Sequence, residues 1–366
     1  MLSKTHIKSY VKQHYVEFII LFFVLFIVFL NLLLTQKIRP FNSDDVSWQT
    51  ILLTWRPFSH QKAFMGSKDN FLINAPFIYI LDLIFGIKRS TIFIISTLFA
   101  FINYICFFIA ARYFLSKTNK KVKASSYVPL LWLASFGFGF SELFLNPNWR
   151  SAQLGITFLF FVLASKIYFK EINPLKSKKN IILSFLVINF AALLVYSDNY
   201  FLYFTLVPIF IIYFGLFIIK RTNKIGLYIS ALSIVYVILA ARILRTIMAR
   251  VGLFTPGPLL VVPAITSLKT IKQNLSSAYV SLRYILGIVN NQLTVTKWSY
   301  SRDVFNTLVL LTVILLVITK IIQSRQAILK WLKSLDIDYS VFIVSLLTIV
   351  IVADFISYFL VDKGNS

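Results

Sequence analysis

Nine stretches of this chain run for close to twenty residues with almost no charge, and that pattern leaves little choice of fold. They are 17–35, 91–115, 127–145, 151–169, 181–196, 200–219, 225–244, 304–322 and 339–361. A helix needs roughly 20 apolar residues to cross a bilayer core. In lipid every backbone N–H and C=O must be bonded inside the segment, which favours the helix. The expected fold is therefore an all-α polytopic membrane protein with about nine transmembrane helices. Charged residues are only 14% of the chain and hydrophobic ones 58%, against roughly 25% charged in an average soluble protein. That excludes a soluble enzyme and a disordered chain. The single cysteine, Cys106, excludes a disulfide scaffold. The first run is too long for the apolar part of a signal peptide and no small-residue cleavage site follows, so it reads as a retained signal anchor.

A tenth apolar stretch, 71–87, is short and contains Asn74, Pro76 and Asp82. Loop charge decides its role, because cytoplasmic loops collect Lys and Arg. If 71–87 does not cross, every short cytoplasmic piece is basic: Lys4/Lys8/Lys12, Lys117/Lys120/Lys121/Lys123, Lys170/Lys176/Lys178/Lys179, Lys220/Arg221/Lys224 and Lys320/Arg325/Lys330/Lys333. If it crosses, three of those clusters move outside. The chain thus reads as one transmembrane domain, 1–366. It has a cytoplasmic tail (1–16), a first extracytoplasmic loop with interfacial helices (36–90) and a second long one (245–303). Nine spans place Ser366 outside, directly after a helix, which makes a C-terminally truncated chain the expectation. The expected location is the inner or plasma membrane.

The net charge of +24 would suggest nucleic acid in a soluble protein. With no soluble domain to carry a basic patch, the expected partners are anionic membrane lipids or a phosphate-bearing lipid, and no nucleic acid. His6, His14 and His60 are too scattered for a metal site. No Gly-rich phosphate loop and no Ser-His-Asp candidate is present, so nucleotide-driven chemistry is not expected.

Four groups of residues could carry chemistry. Asp44 and Asp45 open the first long loop. One reading is local: Ser43 or Asp44 caps a surface helix whose Trp48, Ile51, Leu52 and Trp55 fall at i, i+3, i+4, i+7. The other is a carboxylate pair at the bilayer edge, able to take a proton from an attacking hydroxyl or amine, or to bind a divalent cation. Asp198 and Asn199 sit in a tight outer turn; they suit first a turn and helix cap, and also hydrogen bonds to a sugar. Trp149 and Arg150 fill another outer turn, as interfacial anchors or as a sugar-stacking ring and a phosphate ligand. Arg242 and Arg245 share a helix face at the outer end of the seventh run, with Arg250 beyond. They either snorkel or meet a phosphate, and Arg56 adds to this outer positive charge.

This layout resembles the GT-C superfamily of integral-membrane glycosyltransferases, such as the protein O-mannosyltransferases, the aminoarabinose transferase of lipid A and RgtA/B/C/D-like bacterial enzymes. Asp44-Asp45 falls where that family carries an acidic pair. The stretch from Asp69-Asn70-Phe71 to Leu83-Ile84-Phe85-Gly86 is similar to its interfacial segment. The resemblance implies a polyprenyl-phosphate sugar donor, a glycan, lipid or protein acceptor, one Asp as general base, and inversion at the anomeric carbon. It also implies that a metal is not generally required where the donor is a monophosphate. The chain departs from the family in the second outer turn, where several relatives carry an acid and Glu142 is the nearest one here. Two other classes stay open: a transporter or lipid flippase, with Asp354 as the main deep acid, and a non-catalytic membrane assembly subunit.

Overall fold

The structure is a computed structural model. It describes residues 4–38, 63–64, 71–86, 88–118, 124–127, 130–131, 134, 153–197, 200–219, 224–251, 253–254 and 337–355, with isolated positions from 269 to 322.

The described residues are almost wholly helical. Helix α1 is Lys4–Ile38, kinked at His14 (φ −115°, ψ 15°). Its apolar part, His14–Leu34, has 21 residues, or ~32 Å at 1.5 Å per residue, which matches the bilayer core. Helix α2, Phe71–Phe85, has 15 residues and reaches only ~22 Å. It stops because Gly86 takes φ +74°, the left-handed conformation that suits glycine at a helix C-terminus. The Thr91 hydroxyl then donates to the Gly86 carbonyl at 2.8 Å and fixes the turn into α3, Arg89–Thr118.

Helix α3 is the hub. It packs on α1, on α2, on α4 (Gln153–Tyr168) and on α8 (Tyr339–Phe355). The α3–α4 contact is close because Gly155 has no side chain. A Cβ there would lie 2.8 Å from the Asn103 Cα and carbonyl oxygen. The Gly155 N–H instead donates to Asn103 Oδ1 at 2.6 Å. Small residues at the contact and buried amide bonds across it are the usual means of joining helices in lipid. Asn31 (to the Ala134 carbonyl, 2.8 Å) and Thr157 (to Thr205, 2.8 Å) join other helices in the same way.

Helix α5 is Lys178–Ser197. The chain is helical again from Tyr200, passes through a π turn at Leu202–Leu206 and continues as α6, Val207–Ile218. Pro208 explains the wide turn: it has no N–H to give, so the preceding turn relaxes, and the Val207 N–H bonds to the Leu202 carbonyl. Helix α7 is Lys224–Arg250. It continues past the expected end at 244, so Arg245 and Arg250 stand on the helix rather than in the loop.

Among the described residues four helices are long and apolar enough to cross a membrane: His14–Leu34, Arg89–Thr118, Lys178–Ser197 and Lys224–Arg250. Gln153–Tyr168, Leu202–Ile218 and Tyr339–Ala353 are shorter apolar helices. Most of the expected spans 127–145 and 304–322 lies outside the described residues. The bundle is apolar outside as well as inside: Phe22, Ile182, Leu232 and Ile351 are each more than 60% exposed. Such a surface is stable only against lipid or a partner.

The helix ends sort into two groups in space. The start of α1, the ends of α3 and α4 and the start of α8 meet at one end, where the short Lys-rich links lie. The end of α1, the start of α3, the start of α4 and the end of α5 meet in pairs at the other, where the long links emerge. These are called the basic end and the long-loop end below.

Candidate functional site at the long-loop end

Asp44, Asp45, Arg56, Trp149, Arg150, Asp198 and Asn199 lie outside the described residues. The helix ends that carry their links are described, and so are two contacts between the links.

The first long link is closed at its base. Arg89 Nη2 donates to the Gln36 carbonyl, and Gln36 Nε2 donates to the Arg89 carbonyl at 3.4 Å. Farther along, this link pairs with the chain that follows α7. Ala63 faces Leu253 and Phe64 faces Phe254 in a short parallel ladder. Leu253 comes just after Arg250, the last residue of α7. The loop that contains Asp44, Asp45 and Arg56 is therefore tied to the terminus of the helix that carries Arg242 and Arg245. Arg242 is exposed and Arg245 half-buried, on the last turns of α7. The Thr246 hydroxyl donates to the Arg242 carbonyl at 3.2 Å.

The two short links at the long-loop end also emerge together. Gln153, first residue of α4, donates from Nε2 to the Leu194 carbonyl near the end of α5 at 3.4 Å. This sets the helix start that follows Trp149–Arg150 beside the helix end that precedes Asp198–Asn199. Tyr196 and Phe201, on either side of the Asp198–Asn199 link, belong to a buried cluster against which Leu244 and Met248 in the last turns of α7 pack.

Asp82 is the one acid of the first loop that is described. It is 3% exposed, and neither carboxylate oxygen has a hydrogen-bond partner among the described residues. Burial pushes its pKa up from 3.8 to about 6, since leaving water disfavours the charged form. Helix α2 is inverted relative to a soluble helix. Ile78 and Asp82, four apart, are buried, while Phe77, Ile80, Leu83, Ile84 and Phe85 are exposed. The sequence carried a signal for this: Asn74 and Asp82, eight apart, are the polar residues of an otherwise apolar helix, and in lipid the polar side turns inward. Two neutral oxygens in the halves of α3 and α4 toward the long-loop end, Thr97 Oγ1 and Gln153 Oε1, are also buried without a partner among the described residues. Buried oxygens that lack donors suit a hydroxyl-rich ligand or water.

The basic end is built differently. Glu17 accepts from Arg112 Nε at 3.0 Å, from His14 Nδ1 at 3.0 Å and from the Tyr127 hydroxyl at 3.2 Å. Arg112 Nη2 also lies 3.2 Å from His14 Nδ1. Glu171 receives Lys117 Nζ at 2.7 Å, the Tyr113 hydroxyl at 3.3 Å and the Tyr339 hydroxyl. Burial alone would raise the Glu171 pKa, but hydrogen bonds from Lys117, Tyr339 and Tyr113, with the Lys117 charge, outweigh it and hold the carboxyl below its ordinary 4.5. The sequence reading left these pairs out. Their signal is scarcity: Glu17 and Glu171 are acids set among basic helix ends. Among the described residues no group of three or more His, Cys, Asp or Glu side chains is arranged to hold a metal.

Several apolar helices of spanning length, joined by buried amide and hydroxyl bonds, define a multi-pass helical membrane protein. Comparison with family models, curated proteins and solved structures finds no match for the chain.

Proposed function

We propose that this protein is a membrane glycosyltransferase that moves a sugar from a polyprenyl-phosphate donor to a glycan, lipid or protein acceptor outside the cell membrane. In this reading the basic end is cytoplasmic, as the Lys-rich links require, the long-loop end faces out, and nine spans carry it. Asp44 or Asp45 takes the proton of the acceptor hydroxyl. The acceptor oxygen attacks the anomeric carbon. The bond from that carbon to the phosphate oxygen breaks, and the lipid phosphate leaves with the electron pair and with inversion. Arg242, Arg245 and Arg56 bind the phosphate, and Arg150 reaches it from the neighbouring turn. Trp149 stacks on the sugar face, and Asp198 and Asn199 hydrogen-bond its hydroxyls. Asp82 supplies a second carboxylate on the same loop, the role that the Asn146–Arg150 turn lacks an acid to fill. The carboxylates act without a divalent cation.

The observation that carries this reading is the Ala63–Leu253, Phe64–Phe254 ladder. It joins the acidic loop to the cationic end of α7, and transfer from a lipid phosphate needs both charges in one place. Support against transport comes from the described interior. Its buried polar residues Asn31, Asn103, Thr157 and Thr205 bond across helices instead of forming a charged path.

The test is turnover of radiolabelled polyprenyl-phosphate sugars by the protein in lipid, with and without chelator. Asp44→Asn and Asp45→Asn are compared by turnover and thermal midpoint. Loss of turnover by about 10²–10⁴-fold in one variant, with the fold intact, is expected for a general base. Absence of both turnover and donor binding across a donor panel rejects the reading.

A further inference from the structure

Helices α5 and α7 run in the same direction, and their shared buried cluster lies in the halves toward the long-loop end. There Ala191, Ala192 and Val195 meet Val237 and Ala241 in one buried cluster. Just below it the Tyr236 hydroxyl donates to Asn189 Oδ1 at 2.9 Å. From that bond to the basic end the two helices part around a cleft of about 140 Å³. Leu183 and Val187 of α5 form one wall and Ile229 and Ser233 of α7 the other. Tyr213 forms the back, held by a 2.7 Å bond from its hydroxyl to the Ala164 carbonyl. Gly226 lies against that ring so closely that a Cβ would come 2.2 Å from Tyr213 Cε1. Packing has not closed the cleft, although its lining is largely aliphatic. An apolar cavity of about 150 Å³ holds a benzene-sized group, so this space takes a segment of hydrocarbon chain.

Toward the basic end the cleft is lined by Pro174, Asn180 and Gly226. Lys176, Lys178 and Lys179 lie in the chain between Pro174 and Asn180, Lys224 precedes Gly226 by two residues and Lys170 precedes Pro174 by four, and all five are exposed. None has an ion-pair partner among the described residues. Glu171, the acid in the same link, is already bonded to Lys117, Tyr113 and Tyr339. Unneutralised lysines at the basic end of an apolar slot that opens to lipid call for a ligand with a phosphate head and an apolar tail. A free phosphate would leave the slot empty, and a neutral lipid would leave the lysines unmatched.

We propose that this cleft is a binding site for one anionic phospholipid, with an acyl chain between α5 and α7 and the phosphate among Lys176, Lys178, Lys179 and Lys224. Ser184 and Ser233, both on the lining, face the chain. Such a lipid acts as a wedge: it fills the parted halves of α5 and α7 and fixes the angle at which α7 reaches the long-loop end.

The test is native mass spectrometry of the full chain, with thermal midpoints, in micelles doped with dioleoyl phosphatidylglycerol or dioleoyl phosphatidylcholine. Phosphatidylglycerol is expected to bind with one-to-one stoichiometry and raise the midpoint, and phosphatidylcholine to do neither. Lys178→Gln with Lys179→Gln and Lys224→Gln should weaken binding about a hundredfold, at roughly fivefold per lysine near a headgroup. Ser184→Phe and, separately, Ser233→Phe fill the slot and should abolish the one-to-one adduct, with the midpoint in phosphatidylcholine reporting that each variant is folded. Glycerol 3-phosphate, a head without a chain, should not compete. Equal binding of phosphatidylcholine, or full binding by both folded Phe variants, overturns the proposal. So does an equal loss when Lys120, Lys121 and Lys123 on another link become Gln, since the effect would then be unspecific attraction. Competition by glycerol 3-phosphate would assign the lysines to a soluble phosphate and also overturn it.

Discussion

The two ends of the bundle treat their carboxylates in opposite ways. At the basic end Glu17 and Glu171 each collect three donors, from Arg112, His14 and Tyr127 and from Lys117, Tyr113 and Tyr339. At the long-loop end Asp82 is more deeply buried than either and has no donor among the described residues. A buried carboxylate without partners is a cost to the fold, and such costs concentrate where a group is kept for a ligand or a reaction. The acids of the basic end join helices. The acid of the long-loop end is held open.

The sharpest way to break this comparison is to ask whether the two long loops really meet. Cys106→Ser with Ala63→Cys and Leu253→Cys puts thiols on ladder partners. A short bifunctional crosslinker should couple them nearly completely, seen as a fragment pair retained after cleavage between them. Failure to couple would separate the acidic loop from the cationic end of α7 and leave the proposed site without its phosphate ligands.

Asp82→Asn tests the open acid next. Turnover should fall by about ten- to a hundredfold, while the thermal midpoint at pH 7.5 should rise, because a costly buried charge has gone. Removing a shift from 3.8 to about 6 is worth at most about 3 kcal/mol. Opposed signs in activity and stability mark a residue retained for function. A midpoint that falls would instead make Asp82 a structural acid like those at the other end.

Glu17→Gln and Glu171→Gln should do the reverse. Each removes the acceptor that several donors share, so stability should drop by about 1–2 kcal/mol, discounted because these side chains remain partly in water. Turnover should change less than about twofold, far below the 10²-fold scale of an acid–base group.

The smallest effect is in the pH dependence. Asp82 is raised in the folded state, so the folded protein holds its proton longer. Its contribution is fully present below about pH 4 and is lost as the pH rises through about 6. Glu171 is lowered, so its contribution is present above the unfolded value of 4.5 and is lost as the pH falls through the folded one. Midpoints measured from pH 4 to 7.5 should decline with rising pH in the native chain and flatten in Asp82→Asn. Glu171→Gln should lose only the acid-side slope.

Much of the fold was legible in the residues. Helices α1, α3, α5 and α7 fall on the expected runs 17–35, 91–115, 181–196 and 225–244, because hydropathy is a local property that needs no knowledge of neighbours. The stretch 71–87 was expected as a non-crossing helix, and α2 is a short helix of 15 residues. The end of α7 was less legible. A hydrophobic window stops at the first cluster of arginines, whereas the helix runs on to Arg250 because long cationic side chains tolerate a helix leaving the bilayer. In the candidate site, the shared helix of Arg242 and Arg245 was legible from their spacing. The burial of Asp82 was legible only in the isolation of a polar residue on an apolar stretch, while charge and position placed it among the expected outer acids.

What the sequence determined by itself is the number and order of apolar runs and the charge that each link between them carries, since each depends on a few adjacent residues. Only the tertiary structure decided which ends share an acid: Tyr339 and Glu171 are 168 residues apart. It also decided that α5 and α7 pack along one half and part along the other. Those outcomes depend on how whole helices are placed against each other. Gly155 against Asn103, Gly226 against Tyr213 and the Ala191–Val237–Ala241 contact set that placement, and no single stretch of sequence contains it.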